Sequence, residues 1–366
     1  MLPFVYNALP VRVVFGHGTI SQVGDEVGRL GCRRALILST PQQQGDAKRL
    51  ASHLGDVAAG VFAGAVMHTP VGVTEQAMGL LRDLGSDCTI ALGGGSTIGL
   101  GKAIALRTDL PQIVIPTTYA GSEATPILGE TEGGRKTTQR SQKVLPEVIV
   151  YDVDLTLTLP DGLTMTSGMN AMAHAVEALY AEDANPVISL LAEQAIGVLV
   201  QALRRIKQNP QDRDARADAL YGAWACGTCL GSVGMALHHK LCHVLGGSFG
   251  LPHAETHTVV LPHAVAFNRP AAPEAIAAVA RALGVTEAAQ GLFELAGELG
   301  APRSLSEIGM PEGGLEDAAN LAVASPYGNP RPIERDAIRG LLQDAFHGRP
   351  PNGAFNPTIA TETVRV

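Results

Sequence analysis

The chain has 366 residues, and its 35 acidic and 27 basic side chains give a formal net charge of −8. This length exceeds what one hydrophobic core usually supports, so two domains are expected. The 46% hydrophobic and 17% charged content excludes a disordered chain, and an acidic balance without a basic stripe argues against nucleic-acid binding.

The first half of the chain alternates short apolar runs with longer stretches of helical periodicity. Continuous apolar strands separated by amphipathic helices are typical of a parallel sheet buried on both faces, so this half is predicted to be a doubly wound α/β domain. The predicted strands are Val11–Phe15, Ala35–Leu38, Val57–Phe62, Cys88–Leu92, Gln112–Ile115 and Val148–Tyr151, and the predicted helices are Ser21–Leu30, Gln42–Leu54, Val73–Leu84 and Ser96–Arg107.

A run of three glycines and a serine, residues 93–96, lies between a predicted strand and the helix that follows it. Glycines let a backbone approach a ligand closely, and the first amides of a helix favour a phosphate. This glycine turn is therefore a candidate phosphate site, with a plain strand-to-helix turn as the alternative. Because it lacks both the Walker lysine spacing and the G-x-G-x-x-G pattern, a dinucleotide would be held by a variant arrangement.

A polar segment at residues 116–123, the threonine loop, follows the next predicted strand and contains Thr117 and Thr118. In an open α/β sheet, loops at the carboxyl ends of neighbouring strands share one ligand crevice. The threonine loop and the glycine turn are therefore predicted to face the same ligand. A solvated loop is the alternative.

The second half is rich in alanine and leucine at helical spacing, which predicts an all-helical domain after a boundary near residues 152–160. The five cysteines are an odd count in mostly apolar surroundings, as expected of free thiols. With no signal-peptide pattern and no apolar run long enough for a membrane span, a cytoplasmic location without a membrane partner is expected. The predicted helices are Leu163–Tyr180, Pro186–Lys207, Ala215–Gly231, Ala271–Leu283, Ala288–Leu299 and Ile333–Phe346.

Histidine is concentrated in one part of this half, where six of the 11 fall within 26 residues: His238, His239, His243, His253, His257 and His263. A four-residue spacing places His239 and His243 on one helical face, and it does the same for Asn170 and His174. Two such helices can converge on a metal ion or a polar substrate. For any single histidine, packing in a core is the alternative.

In order and spacing, these motifs resemble the iron-containing alcohol dehydrogenase superfamily, from about Val11 to Arg339. The resemblance implies a nicotinamide-binding α/β domain at residues 1–155, an all-helical substrate domain at residues 156–366, a cleft between them and a homodimer. It rests on residues 93–96 with Lys102, on the threonine loop, on Ser167–Glu177, and on His239–His243 followed by Pro252 and His253.

The resemblance also assigns cofactor positions. Lys136 matches a lysine near the cofactor ribose. Thr40 stands where an aspartate would bind the adenosine ribose and repel a 2′-phosphate, so both NADH and NADPH are expected to serve. The positions implied for the cofactor phosphates are Gly94, Gly95, Ser96, Thr117 and Thr118.

The superfamily's metal ligands, an aspartate and three histidines, match Asn170, His174, His239 and His253. An amide binds a dication much more weakly than a carboxylate does, so no tightly bound metal is expected. His243 matches a histidine near the nicotinamide, and it is the preferred proton donor or electrophile.

These departures match the branch of the superfamily that reduces a carbon–carbon double bond conjugated to a ketone. The implied reaction is NAD(P)H-dependent reduction of 2-maleylacetate to 3-oxoadipate in aromatic-compound catabolism, with His174, His239, His243 and His253 around a small dicarboxylate substrate. Arg140, Lys143 and Lys240 are candidate carboxylate partners or, equally, solvated surface charges. The competing hypotheses are a metal-dependent alcohol or polyol dehydrogenase and a non-catalytic nucleotide-binding protein.

Overall fold

The structure is a computed structural model that describes residues 3–325 and 327–351, without the side chains of residues 135 and 136. Its first half contains a six-stranded parallel sheet with the strand order β1-β8-β5-β4-β2-β3. All six strands predicted from the sequence are confirmed. The eight strands in chain order are β1 Arg12–Gly16, β2 Ala35–Leu38, β3 Ala58–Phe62, β4 Cys88–Gly93, β5 Gln112–Pro116, β6 Ile127–Glu132, β7 Arg135–Arg140 and β8 Val148–Asp152.

Helices cover both faces of this sheet, as the continuous apolar strands require. On one face, Ile37 and Ile90 pack in a core with the first two helices. On the other, Leu36 and Ala91 pack in a second core with the next two. The side chains alternate because successive residues of a strand point to opposite faces. These helices are α1 Val23–Arg29, α2 Gln44–Leu54, α3 Val71–Asp83 and α4 Gly95–Thr108.

Strands β6 and β7 form an antiparallel hairpin that is absent from the strands predicted above. Gly133 and Gly134 turn the chain with positive φ angles of 55° and 78°, which suit a tight hairpin turn. The turn and residues 137–140 of β7 are polar and exposed, and β6 alternates half-buried residues with the buried Leu128 and Glu130, so the hairpin has no apolar alternation to reveal it. Lys136 lies in β7 opposite Thr131, and its side chain is outside the described part of the structure.

Nine helices follow β8 in the described part of the second half, which confirms the predicted all-helical character. The division at residue 155 stays a prediction, although β8 ends at Asp152 and the next helix begins at Asp161. Tyr119 and Tyr151 of the first half pack in the same core as the first helices of the second. The helices are α5 Asp161–Ala178, α6 Pro186–Gln208, α7 Arg213–Ser232, α8 Leu237–Phe249, α9 His253–Asn268, α10 Pro273–Leu283, α11 Ala288–Glu298, α12 Leu315–Val323 and α13 Arg335–Phe346.

Helix α6 has the length and hydropathy of a membrane span, and α7 with α8 passes the same test as a pair bent by 96°. The inner face of α6 is packed in the core, where Ile188, Ile196 and Leu203 are fully buried. Its outer face carries Glu193 and Arg204, which form ion pairs with α10 and α11. These contacts are those of a core helix with one solvated face.

Candidate active site

The glycine turn and the threonine loop lie side by side at the carboxyl ends of β4 and β5. Gly94 precedes the first residue of α4 and provides no side-chain cap, so the N-terminus of this helix has no side-chain acceptor there. A Cβ built on Gly94 would lie 2.9 Å from Thr118 Cγ2, whereas one on Gly95 meets no atom within 4 Å. The two loops therefore meet as predicted, and the open amides at Gly95 and Ser96 suit a phosphate.

Gln43 joins these loops to the end of β2, and no motif in the sequence indicates this role. Its side-chain Nε2 donates to Thr117 Oγ1 at 2.9 Å, and its backbone N–H donates to the carbonyl of Thr40. Because Thr117 Oγ1 accepts this bond, its own hydroxyl hydrogen is left to donate to a ligand. Thr40 follows β2 and is half-buried, so it lies at the same carboxyl ends of the strands as the two loops.

Lys102, which follows the glycine turn on α4, is buried. Its Nζ donates to the carbonyls of Ser122, Thr125 and Ile127, at 2.6, 2.6 and 3.0 Å, and to the Thr125 hydroxyl. Burial lowers the pKa of Lys102 to about 7. Its contacts show that Lys102 fixes the end of the threonine loop and the start of β6.

Helices α5 and α8 bring His174 and His239 into direct contact, and we call these two residues the imidazole pair. His174 Nδ1 lies 2.9 Å from His239 Nε2, and His174 Nε2 lies 3.2 Å from the Ala120 carbonyl of the threonine loop. On its other side, His239 Nδ1 lies 2.6 Å from the carboxylate of Glu177. Burial and the neighbouring imidazoles lower the pKa of His174 well below its usual value.

The other two predicted catalytic histidines lie beside this pair and are exposed. The ring centroids of His239 and His243 are 6.3 Å apart. His253 lies 4.3 Å from the ring of His257, which in turn lies 5.0 Å from the ring of His239. Since His243 and His253 are exposed while the pair is buried, the cluster presents a solvent-facing side to a ligand.

His263 does not belong to the cluster, although it was counted with the concentrated histidines. It is buried on α9, with its ring 6.5 Å from that of Phe293. Burial lowers the pKa of His263 to about 4. His263 is therefore a histidine packed in the core, which was the alternative stated for any single histidine.

A second group beside the imidazole pair consists of His238, Cys242 and His257, whose ligand atoms all lie within 4.8 Å of one another. His238 Nε2 is 2.9 Å from His257 Nδ1, and Cys242 Sγ is 3.7 Å from His238 Nε2. Metal-bound histidines usually donate their second ring N–H to a partner. His238 Nδ1 and His257 Nε2 have no such partner among the described residues, so the group fits a metal poorly.

Asn170 lies one helical turn before His174 on α5 and is buried. Its Oδ1 has no hydrogen-bond partner in the described part of the chain. A neutral amide and neutral imidazoles supply no anionic ligand, and His174 Nδ1 and His239 Nε2 already satisfy one another. By this chemistry, the donor set fits a tightly held iron or zinc ion poorly.

The three candidate carboxylate partners have other contacts. Arg140 donates to the carbonyl of Gly231 at 2.8 Å and so caps the end of α7. Lys143 pairs with Asp109 at 3.4 Å on the surface. Lys240, half-buried next to His239, has its Nζ 5.4 Å from the centre of the Tyr327 ring. Of the three, only Lys240 adjoins the histidine cluster.

Known proteins match the chain over nearly its whole length. The family model described as iron-containing alcohol dehydrogenase matches residues 10–153, and the C-terminal model of the Fe-containing alcohol dehydrogenase family matches residues 164–346. A maleylacetate reductase from Rhizobium sp. (strain MTP-10005) is 58% identical over 351 residues, covering 96% of this chain and 100% of that protein. Another, from Sphingobium indicum, is 56% identical over 96% of this chain and 99% of that protein.

The similarity extends to the fold. A crystal structure of maleylacetate reductase from Agrobacterium tumefaciens superposes with a TM-score of 0.93 at 59% identity, covering 96% of this chain and 100% of that one. These matches confirm the resemblance inferred from the glycine, threonine and histidine motifs. The chain belongs to the iron-containing alcohol dehydrogenase family.

Proposed function

We propose that the protein is a maleylacetate reductase, which uses NADH or NADPH to reduce the conjugated double bond of 2-maleylacetate and releases 3-oxoadipate. The observation that carries this proposal is the histidine cluster in contact with the threonine loop, with an amide at Asn170 in place of the family's carboxylate. The relatives of that name, matched at 56–58% identity over 96% of the chain, support the same reaction.

The reaction needs a hydride at the carbon β to the ketone, stabilisation of the resulting enolate, and a proton at the α-carbon. When bound, the reduced nicotinamide supplies the hydride. Imidazole N–H groups can stabilise the developing oxyanion, because positioned donors act strongly in a site shielded from water. His243, exposed beside the buried pair, is our assignment for the proton donor.

This chemistry requires no Lewis acid, which agrees with the neutral donor set at Asn170. His253 and Lys240 adjoin the cluster on its exposed and half-buried sides, where they can interact with the substrate carboxylates. The partner is therefore a small dicarboxylate, and neither nucleic acid nor a membrane is involved.

For the cofactor, we propose that the amides of Gly95 and Ser96 and the hydroxyls of Thr117 and Thr118 hold the phosphates. The uncharged Thr40 neither recruits a ribose 2′-hydroxyl through a carboxylate nor repels a 2′-phosphate, so both NADH and NADPH are accepted. We further propose a cytoplasmic homodimer, in keeping with the family resemblance and the five free cysteines.

The deciding experiment measures NADH and NADPH oxidation by the purified protein with 2-maleylacetate, together with its iron and zinc content. We expect turnover with either cofactor, substoichiometric metal, and no loss of rate after chelation. Stoichiometric iron or zinc whose removal abolishes turnover would support the metal-dependent alcohol dehydrogenase instead. NADH binding without any turnover would support the non-catalytic alternative.

A matched pair of variants separates the site from the surface. His243→Gln should lose turnover, whereas His53→Gln, at an exposed histidine on α2, should keep it. Both variants should bind NADH as the unmodified protein does, because neither position belongs to the glycine turn or the threonine loop.

A further inference from the structure

We propose that Glu177 is the positioning residue of the imidazole pair: from α5 it holds the ring of His239 in one orientation and one tautomer, without contacting the substrate itself. This inference rests on the proposed function for its kinetic consequence. Its structural part concerns the free protein and stands independently.

The Glu177 carboxylate is fully buried, and both of its oxygens have hydrogen-bond partners. Oε1 accepts the backbone N–H of His238 at 2.8 Å, and Oε2 accepts that of Ala236 at 3.0 Å. Oε2 also lies 2.6 Å from His239 Nδ1. One carboxylate therefore contacts the backbone and the side chain of the same short segment.

These backbone donors lie at the N-terminus of α8: Ala236 is the residue before the helix, and His238 is its second residue. The residue before α8, Ala236, has no side-chain cap to offer, so Glu177 supplies the missing acceptor from another helix. An anion at a helix N-terminus is favoured by the helix dipole, which helps to offset the burial of the carboxylate. Glu177 thus fixes where α8 starts, and with it the position of His239.

The same carboxylate selects the tautomer of His239. A carboxylate whose oxygens already receive N–H donors acts as an acceptor, so His239 Nδ1 must carry the hydrogen that faces it. His239 Nε2 is then directed at His174 Nδ1, at 2.9 Å. If the ring of His239 turned over, it would break the contacts to both Glu177 and His174.

The effect extends beyond α8, because His239 Nε2 carries no hydrogen in this tautomer and so accepts from His174 Nδ1. Glu177, His239 and His174 therefore form a hydrogen-bonded chain between α5 and α8, and the other ring nitrogen of His174 lies 3.2 Å from the Ala120 carbonyl of the threonine loop. Carboxylates that orient a metal-bound histidine in this way change metal affinity or activity by about tenfold to a hundredfold when they are removed, and we expect an effect of that size on His239 as a hydrogen-bonding group.

The kinetic test is Glu177→Gln, which keeps the size of the side chain but places an NH₂ donor against the N–H groups. We expect kcat to fall by about tenfold to a hundredfold, while the Kd for NADH stays within about twofold of the unmodified value. The matched control is Asp87→Asn, because the Asp87 carboxylate also accepts two backbone N–H groups, those of Arg33 and Arg34. Asp87 lies at the amino end of β4, whereas the glycine turn lies at its carboxyl end. That variant should keep its kcat.

A spectroscopic test needs neither turnover nor a variant of Glu177. In ¹⁵N-histidine-labelled protein, with the His239 signal assigned through His239→Gln, we expect the Nδ1–H tautomer alone. An Nε2–H tautomer, or a mixture of the two, overturns the positioning role. So does a Glu177→Gln protein with unchanged kcat, or one whose NADH binding falls in parallel with kcat. Absence of maleylacetate reduction in the unmodified protein would count against the proposed function only, since the tautomer is measured independently.

Discussion

The prediction that tests the cofactor site most directly is the replacement of Gly95, the first residue of α4, by alanine. A Cβ at this position meets no protein atom within 4 Å, so the substitution adds no clash inside the fold. It does add a methyl group beside the amides that we assign to a phosphate. We expect the Kd for NADH to rise at least about tenfold, which corresponds to about 1.4 kcal/mol, with the free energy of unfolding unchanged or slightly higher.

Gly94→Ala should behave differently, because its Cβ would lie 2.9 Å from Thr118 Cγ2 and 3.2 Å from Thr118 Oγ1. Ordinary contacts begin at 3.4 Å, so Thr118 or the backbone must move by about half an ångström. Overpacking of this kind costs about 1–3 kcal/mol. Both the stability and the affinity for NADH should therefore fall in this variant.

The control is Gly79→Ala, on the outer part of α3, where a Cβ also meets nothing within 4 Å. An alanine inside a helix should raise the free energy of unfolding by about 0.5–1 kcal/mol and leave NADH binding alone. Titration calorimetry with NADH and urea unfolding on all three variants measure the two effects separately. Wild-type NADH affinity in Gly95→Ala would refute the assignment of the glycine turn to the phosphates.

Three further predictions follow from the histidines and from Asn170. His243→Ala should bind NADH normally but lose turnover in a stopped assay; full turnover would remove His243 as the proton donor. Burial lowers the pKa of His263 to about 4 from a usual 6.5, so the unfolded chain binds a proton that the folded chain does not. As the pH falls from about 7.5 to about 5, His263 alone should lower the free energy of unfolding by about 2 kcal/mol. Urea unfolding at the two pH values should show that His263→Gln loses this contribution to the pH dependence. Asn170→Asp should bind Zn²⁺ more tightly than the unmodified protein in equilibrium dialysis, and equal affinity would contradict our account of the amide.

The sheet was predictable because its strands are short apolar runs that become buried on both faces. Strands β2, β4, β5 and β8 are buried along their whole length, and each coincides with a run visible in the sequence. The β6–β7 hairpin was missed because its strands are mostly polar and one of the buried residues of β6 is Glu130, so they show no apolar alternation. Helix α9 was missed for the opposite reason, since a helix buried on nearly every side has no polar face to create a period.

For the site, the sequence located the histidines but not the groups that orient them. The contact between Gln43 and Thr117 spans 74 residues of sequence, and that between Glu177 and His239 spans 62. Each depends on which atom of a side chain faces its partner after the elements pack. Spacing along one helix indicates that two residues share a face, but it does not show what lies opposite that face.

The charges around the imidazole pair explain why one substitution can change the demand for a metal. Asn170 and Glu177 are both buried on α5, seven residues and about two turns apart, with His174 between them. A carboxylate at position 170 would add a second buried anion, and a divalent cation would compensate for it. With an amide at position 170, Glu177 is the one carboxylate of these two side chains. Its oxygens already accept hydrogen bonds from the amides at the N-terminus of α8 and from His239. A dication placed among neutral imidazoles and an amide would then keep most of its charge uncompensated, which is costly in a buried site. The same change that weakens metal binding therefore keeps the imidazole pair engaged with Glu177, and the exposed rings of His243 and His253 are the ones that face the substrate.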